Sequence, residues 1–206
     1  MSATAQKPRL NREQQKVQRA TELLDAAWQL FCQKGYETLS IDEVAEYAGY
    51  SRMPVYSLFG DKQNLFFELW RSKSSTLALY LLSECLPAKP LEENLTQLAK
   101  KITADGEQPE TGHGKYLFFV VQTISLNRPD IRVKLELLAR DHINQFAKMI
   151  SDSAISPTQK LREPPDIIAR HLLAQINGAA MVKFQTQQDF LSAASQADVF
   201  CRIALQ

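Results

Sequence analysis

The stretch Ser40-Ile41-Asp42-Glu43-Val44-Ala45-Glu46-Tyr47-Ala48-Gly49-Tyr50-Ser51-Arg52-Met53-Pro54-Val55-Tyr56-Ser57-Leu58-Phe59-Gly60-Asp61 decides the fold. Ser40 followed three residues later by Glu43 is a capping box, so a helix starts there with Ile41, Val44, Ala45 and Ala48 on one face. Gly49 breaks it. Ser51 then opens a second short helix through about Phe59, with Val55, Leu58 and Phe59 facing inward. Arg52, Met53, Tyr56 and Ser57 stand at i, i+1, i+4 and i+5, which places them together on the opposite face. Two short helices about a glycine-containing turn, the second apolar on one side only, have the sequence form of a helix-turn-helix. The spacing alone is a weak signal, because short helical hairpins are common in bundles.

Upstream, a helix is expected from about Arg12 to Lys34. Its stripe is Ala20, Leu23, Leu24, Ala27, Trp28 and Phe31, and Gly35 ends it. Downstream, Asp61 caps a longer helix from about Lys62 to Cys85. Beyond Pro87 and Pro90 the periodicity predicts helices at about 91–104, 113–127, 130–153, 165–186 and 188–205, separated by turn residues such as Asn127-Arg128-Pro129-Asp130 and Pro164-Pro165. The expected fold is all-α, with about nine helices: an N-terminal three-helix helix-turn-helix domain followed by a larger C-terminal helical bundle. The corresponding divisions are a basic leader at 1–12, a domain at 13–62 and a second domain at 63–206.

Composition narrows the function classes. In 206 residues, 45% hydrophobic and 23% charged content argues for a globular chain rather than a disordered one. A net charge of +1 is not that of a nucleic-acid coat protein, so the distribution of charge matters more than its sum. Lys7, Arg9, Arg12, Lys16 and Arg19 face a single acid, Glu13, in the leader and first helix. That segment reads either as a solvated leader or as an arm that follows phosphates. Cys32, Cys85 and Cys201 are odd in number and widely spaced, and Cys32 and Cys201 lie on apolar stripes, which favours reduced buried thiols. His113 and His171 lack neighbours at ligand spacing, so no metal is expected. Catalysis would need a nucleophile–base set, a phosphate loop or a ligand cluster, and no such set is found. No cofactor is expected. The polar N-terminus carries no secretory leader, and the apolar run Tyr116–Val121 is too short to cross a bilayer, so a bacterial cytoplasmic protein is expected.

The residues themselves then narrow the reading. Leu24-Asp25-Ala26-Ala27-Trp28-Gln29-Leu30-Phe31, Gly35-Tyr36, Ser40 to Ala45, Ala48-Gly49-Tyr50-Ser51 and Val55 to Leu65 resemble the DNA-binding domain of the TetR family, over about residues 16 to 66. The resemblance implies a homodimeric, nucleoid-associated regulator, by default a repressor, that binds a palindromic double-stranded operator and releases it to a small-molecule effector. It implies that Ser40, Tyr56 and Lys62 contact phosphates. Arg52 and Met53 would read base edges, Arg52 reaching guanine O6 and N7 and Met53 a thymine methyl. Ser51, Val55 and Ser57 complete the interface segment. Two positions depart from the family pattern. Pro54 removes the amide that Ser51 would cap and one polar side chain from the reading helix. Tyr50 replaces a smaller apolar residue and is expected to turn its hydroxyl toward the DNA backbone.

The C-terminal region resembles the family only in outline, so its chemistry is argued from pattern. The 165–186 helix is apolar nearly all round, which calls for a second covering. A partner subunit is expected on Ile168, Leu172, Gly178, Ala179 and Val182. The last helix adds Phe190, Ala194, Ala197 and Cys201 to the seam. Trp70, Tyr116, Phe119, His142 and Phe146 are candidate walls of an effector pocket. His142 lies on the stripe Ile131, Leu135, Leu138, Phe146 and Met149, where a hydrogen-bonded core histidine is the competing reading. The rival functions are an enzyme and a structural adaptor that reuses the fold without DNA.

Overall fold

A computed structural model describes residues 11–108, 111–186, 188 and 191–206, and these residues form an all-helical chain. The helices are α1 (Arg12–Thr38), α2 (Ile41–Tyr47), α3 (Arg52–Phe59), α4 (Lys62–Leu82) and α5 (Leu91–Gly106), followed by α6 (Thr111–Asn127), α7 (Pro129–Asp152), α8 (Pro165–Thr186) and α9 (Ala193–Ala204). The backbone divides into two compact units, one ending at Leu69 and one beginning at Trp70.

In the first unit, Asn11 caps α1 by accepting from the Gln14 amide, while the Gln14 side chain accepts from the Asn11 amide. Gly35 interrupts the helix at φ 76°, a value that glycine adopts without Cβ strain. The helix then makes one further turn to Thr38, past the end that Gly35 suggested. Leu23, Ala27, Phe31, Val44, Ala45, Val55, Phe59 and Phe66 are buried in this unit. The Phe66 ring lies edge-on to Phe31 at 5.6 Å and to Tyr36 at 4.7 Å, geometries that favour aromatic pairs beyond simple area burial.

The second unit buries a stripe from each of its helices. Leu91, Leu95, Leu98 and Ile102 of α5 pack with Phe146 and Ile150 of α7, Ile168, Leu172 and Ile176 of α8, and Phe200 and Ala204 of α9. In α8 the buried line Ile168, Leu172, Ile176, Ala180 repeats every fourth residue and turns into its own chain. Ile168 and Leu172 therefore have no exposed surface for a partner subunit, which corrects their placement on the seam. Helix α9 starts at Ala193, later than the apolar pattern suggested, because Ser192 caps it by accepting from the Ser195 amide. Phe190 lies outside the described residues, as do Lys7 and Arg9 of the leader.

Asn94, 1% exposed, holds the α4–α5 connection. Its amide donates to the Leu86 carbonyl at 2.9 Å and to Ser153 Oγ at 2.8 Å, and its oxygen accepts from the Leu86 amide at 3.0 Å. Removing that side chain strands a buried backbone donor and acceptor together. Asn94→Ala is expected to destabilise the protein by about 2–3 kcal/mol. Urea unfolding should show this as a lower midpoint with an unchanged slope.

Candidate nucleic-acid interface and ligand cavity

Capping fixes the position of the helix-turn-helix. The Ser40 hydroxyl oxygen accepts from the Glu43 amide at 3.2 Å, and the Glu43 carboxylate accepts from the Ser40 amide and hydroxyl, both at 2.8 Å. Lys34 of α1 donates to the same carboxylate. The Lys34 ammonium, followed by the two Ser40 donors, holds Glu43 down from its usual 4.5 to about 2. The turn continues with Gly49 at φ 74°, and the Tyr50 amide reaches back to the Ala45 carbonyl at 2.8 Å. Thus four residues, 48–51, separate α2 from α3.

Within α3 the two faces are sharply different. Val55 is fully buried and Phe59 nearly so, whereas Met53 is 67% exposed and Tyr56 46%. Arg52, Ser57 and Ser51 are exposed beside them. The structure thus brings Ser51, Arg52, Met53, Tyr56 and Ser57 together on one open surface. Val55, included with them on sequence grounds, is fully buried in the core beneath. Ser51 makes no side-chain cap, as expected when Pro54 occupies the position whose amide it would bind.

Two residues are engaged differently from expectation. The Tyr50 hydroxyl donates to the Glu22 carboxylate of α1 and lies under the Arg19 guanidinium, 5.5 Å from the ring centroid. That hydroxyl is committed inside the unit, which corrects its assignment to the DNA backbone. The hydrogen bond from Tyr50 lowers the Glu22 pKa, and the same bond raises that of Tyr50. Lys62 lies 4.3 Å from the Tyr36 ring centroid and donates to the Glu37 carbonyl at 3.3 Å. Partial desolvation lowers its pKa, offset by Glu37 and Glu43.

A cavity of about 300 Å³ lies within the second unit. Trp70, Ser74 and Leu77 of α4 line it, with Lys115, Phe118 and Gln122 of α6, Leu138, His142 and Phe146 of α7, and Arg170, Leu173 and Asn177 of α8. Of the residues expected there, Trp70, His142 and Phe146 are present. Tyr116 and Phe119 are not among the lining residues: Tyr116 is 36% exposed, and Phe119 packs on Phe118 at 5.4 Å and Phe184 at 6.3 Å. Phe118, one residue away from Phe119, takes the cavity position and meets Trp70 edge-on at 5.4 Å. The Nε2 of His142 is buried without a hydrogen-bond partner among the described residues, unlike a satisfied core histidine. Desolvation lowers its pKa, and Asp141 opposes that shift. Lys115, Arg170 and Gln122 were not anticipated. Among the described residues, no group of three or more His, Cys, Asp and Glu side chains could hold a metal ion, and no helix is long and apolar enough to cross a membrane.

Comparison with known proteins agrees with this geometry. Residues 23–69 match the family described as "Bacterial regulatory proteins, tetR family". The HTH-type transcriptional regulator AcrR of Shigella flexneri is 40% identical over 55 residues, covering 27% of this chain and 26% of that protein. The chain spans between 26% and 41% of the length of the curated relatives it matches. A TetR-family regulator from Mesorhizobium loti MAFF303099 superposes with TM-score 0.70 at 21% identity, covering 95% of this chain and 99% of that one. The multidrug binding protein EbrR complexed with proflavin superposes with TM-score 0.60 at 20% identity, over 90% of this chain and 99% of that one. At such identities these two likenesses establish the fold.

Ser40→Ala removes the acceptor for the Glu43 amide and should cost about 1 kcal/mol, read as a lower melting temperature. Acid weakens the same lock, with the sign set by the depressed Glu43 pKa: its contribution is complete above 4.5 and fades as the pH falls toward about 2. Acid titration followed by circular dichroism should show a shallower loss below pH 4.5 in Glu43→Gln than in the parent.

Proposed function

We propose that this chain, which through its N-terminal domain belongs to the TetR family of bacterial regulatory proteins, is a sequence-specific DNA-binding transcriptional repressor released from its operator by a small molecule. The observation that carries this reading is the division of α3, with Val55 and Phe59 buried and Arg52, Met53, Tyr56 and Ser57 exposed opposite them. A short helix held from behind presents its first turns to a major groove, which is wide enough to admit it. Arg52 reads guanine, Met53 packs against a thymine methyl, and Tyr56 donates to a phosphate. Ser40, Ser51 and Ser57 add polar contacts to the backbone. Lys62, although turned onto Tyr36 and Glu37, adds positive potential beside the duplex. Arg12 and Lys16, exposed on the first turns of α1, extend the basic surface.

A homodimer follows from the far faces of α8 and α9. Val182 is 56% exposed, Gly178 and Ala194 are open, and Ala179, Ala197 and Cys201 are only partly covered. A Cβ built on Gly178 meets nothing within 4 Å among the described residues, which leaves room there for a second copy to approach. Two-fold symmetry then matches a palindrome with half-sites about 34–36 Å apart or a multiple of that distance. The cavity is the effector site, and its occupant acts by binding one of two conformations more tightly. EbrR, which shares the fold, is known in complex with proflavin, and this supports small-molecule binding here. The site of action is the bacterial cytoplasm, at the nucleoid.

Fluorescence anisotropy on the DNA upstream of its own gene tests the reading. Binding should weaken steeply with salt, since each neutralised phosphate releases counterions. Arg52→Ala should relax preference at one base pair by about 1–3 kcal/mol, whereas Tyr56→Phe should weaken all sites alike. Binding indifferent to sequence would refute direct readout. In sedimentation velocity, Val182→Lys should convert a dimer to a monomer, and an unchanged dimer would remove α8 from the interface.

A further inference from the structure

The cavity is built for a particular charge. Its body is apolar, with Trp70, Phe118 and Phe146 supplying rings from three different helices. Its polar lining is one-sided: among the described residues, Lys115 and Arg170 are the charged residues, and neither aspartate nor glutamate lines it. Carboxylates act on the lining from outside it: Asp141 on His142, Asp105 on Lys115 and Asp166 on Arg170. Asp105 interacts with Lys115 without lining the cavity, and Asp166 lies 3.6 Å from the Arg170 guanidinium, an exposed and long pairing. Lys115 is half-buried, and its pKa is lowered by desolvation and pulled back up by Asp105. A partly desolvated ammonium gains the most from a counter-charge delivered into the same low-dielectric space. His142 adds a buried polar atom that no group among the described residues satisfies, and such an atom is costly until a ligand supplies a partner.

We propose that the cavity takes a compact anionic amphiphile, an aromatic carboxylate whose rings lie among Trp70, Phe118 and Phe146 and whose carboxylate is paired by Lys115 and Arg170. This inference deepens the effector reading above by naming the class of effector, and it rests on that reading only for the biological consequence. A 300 Å³ space is at the small end of ligand pockets, which fits a bicyclic acid better than a long acyl chain or a large polycyclic drug. A cationic ligand of the same shape meets two like charges and no compensating carboxylate on the lining.

Isothermal titration of the full-length protein with three isosteres tests this: 2-naphthoate, the neutral 2-naphthamide and the cationic 2-naphthylmethylammonium. The expected order is naphthoate at least tenfold tighter than the amide, with the ammonium weakest. Lys115→Met should remove most of the tenfold preference while leaving the amide affinity within about twofold, as a charge-assisted contact would. Arg170 is exposed, so Arg170→Met keeps the fold in any event and should lower naphthoate binding a few-fold. Equal binding of the three probes, preference for the ammonium, or an anion preference that survives loss of both cations would overturn the proposal. The two readings fail separately. Naphthoate binding in this order by a protein that ignores its upstream DNA removes the regulator and keeps the ligand class. Specific DNA binding by a protein that prefers the ammonium does the reverse.

Discussion

Burial of Val55 and Phe59 against α2 is the constraint on which the rest of the N-terminal unit depends. Fully burying two such side chains is worth roughly 1.5–3 kcal/mol each, more than any single exposed contact of α3 contributes. An eight-residue helix has little stability of its own in water. It exists because α2 covers one side, and α2 in turn is seated by the Ser40–Glu43–Lys34 lock on α1. The exposed face of α3 is thus a by-product of core packing. Arg52, Met53, Tyr56 and Ser57 are exposed because their neighbours in sequence are not.

This explains why the interface was legible in the sequence and the cavity only partly so. For α2 and α3 the relevant information is local: a cap, a four-residue repeat and a glycine that alone tolerates its turn. Once Val55 and Phe59 are set inward, the opposite face follows from the helical period. In α6 the run Tyr116-Leu117-Phe118-Phe119-Val120-Val121 is apolar on every side, so periodicity could not choose between Phe118 and Phe119. Tertiary packing made that choice, burying Leu117 and Val121 and aiming Phe118 at the cavity. Similarly, α8 was expected to offer Ile168 and Leu172 to a partner. Its continuous apolar surface hid the fact that the line through Ile176 and Ala180 belongs to the chain's own core.

Charged residues on cavity walls are harder still to find. Lys115 and Arg170 look like ordinary surface residues in one dimension, and only the convergence of four helices gives them a common space. Asn94 did leave a trace, since it falls on the stripe of Leu91, Leu95 and Leu98, where a polar residue must find partners. Tyr50 left less. Its aromatic bulk in a turn of small residues suggested an outward role, but Glu22, twenty-eight positions away, accepts its hydroxyl.

Pro54 has one more consequence. It stands where the Ser51 side chain would otherwise find its amide, so the leading turn of α3 goes without the capping bond that seats α2. The amides of Arg52 and Met53 have no acceptor within the helix either. The protein thus leaves the first turn of α3 without the side-chain cap that α2 has. In the function proposed above, a duplex phosphate is the group that would close that end of the helix.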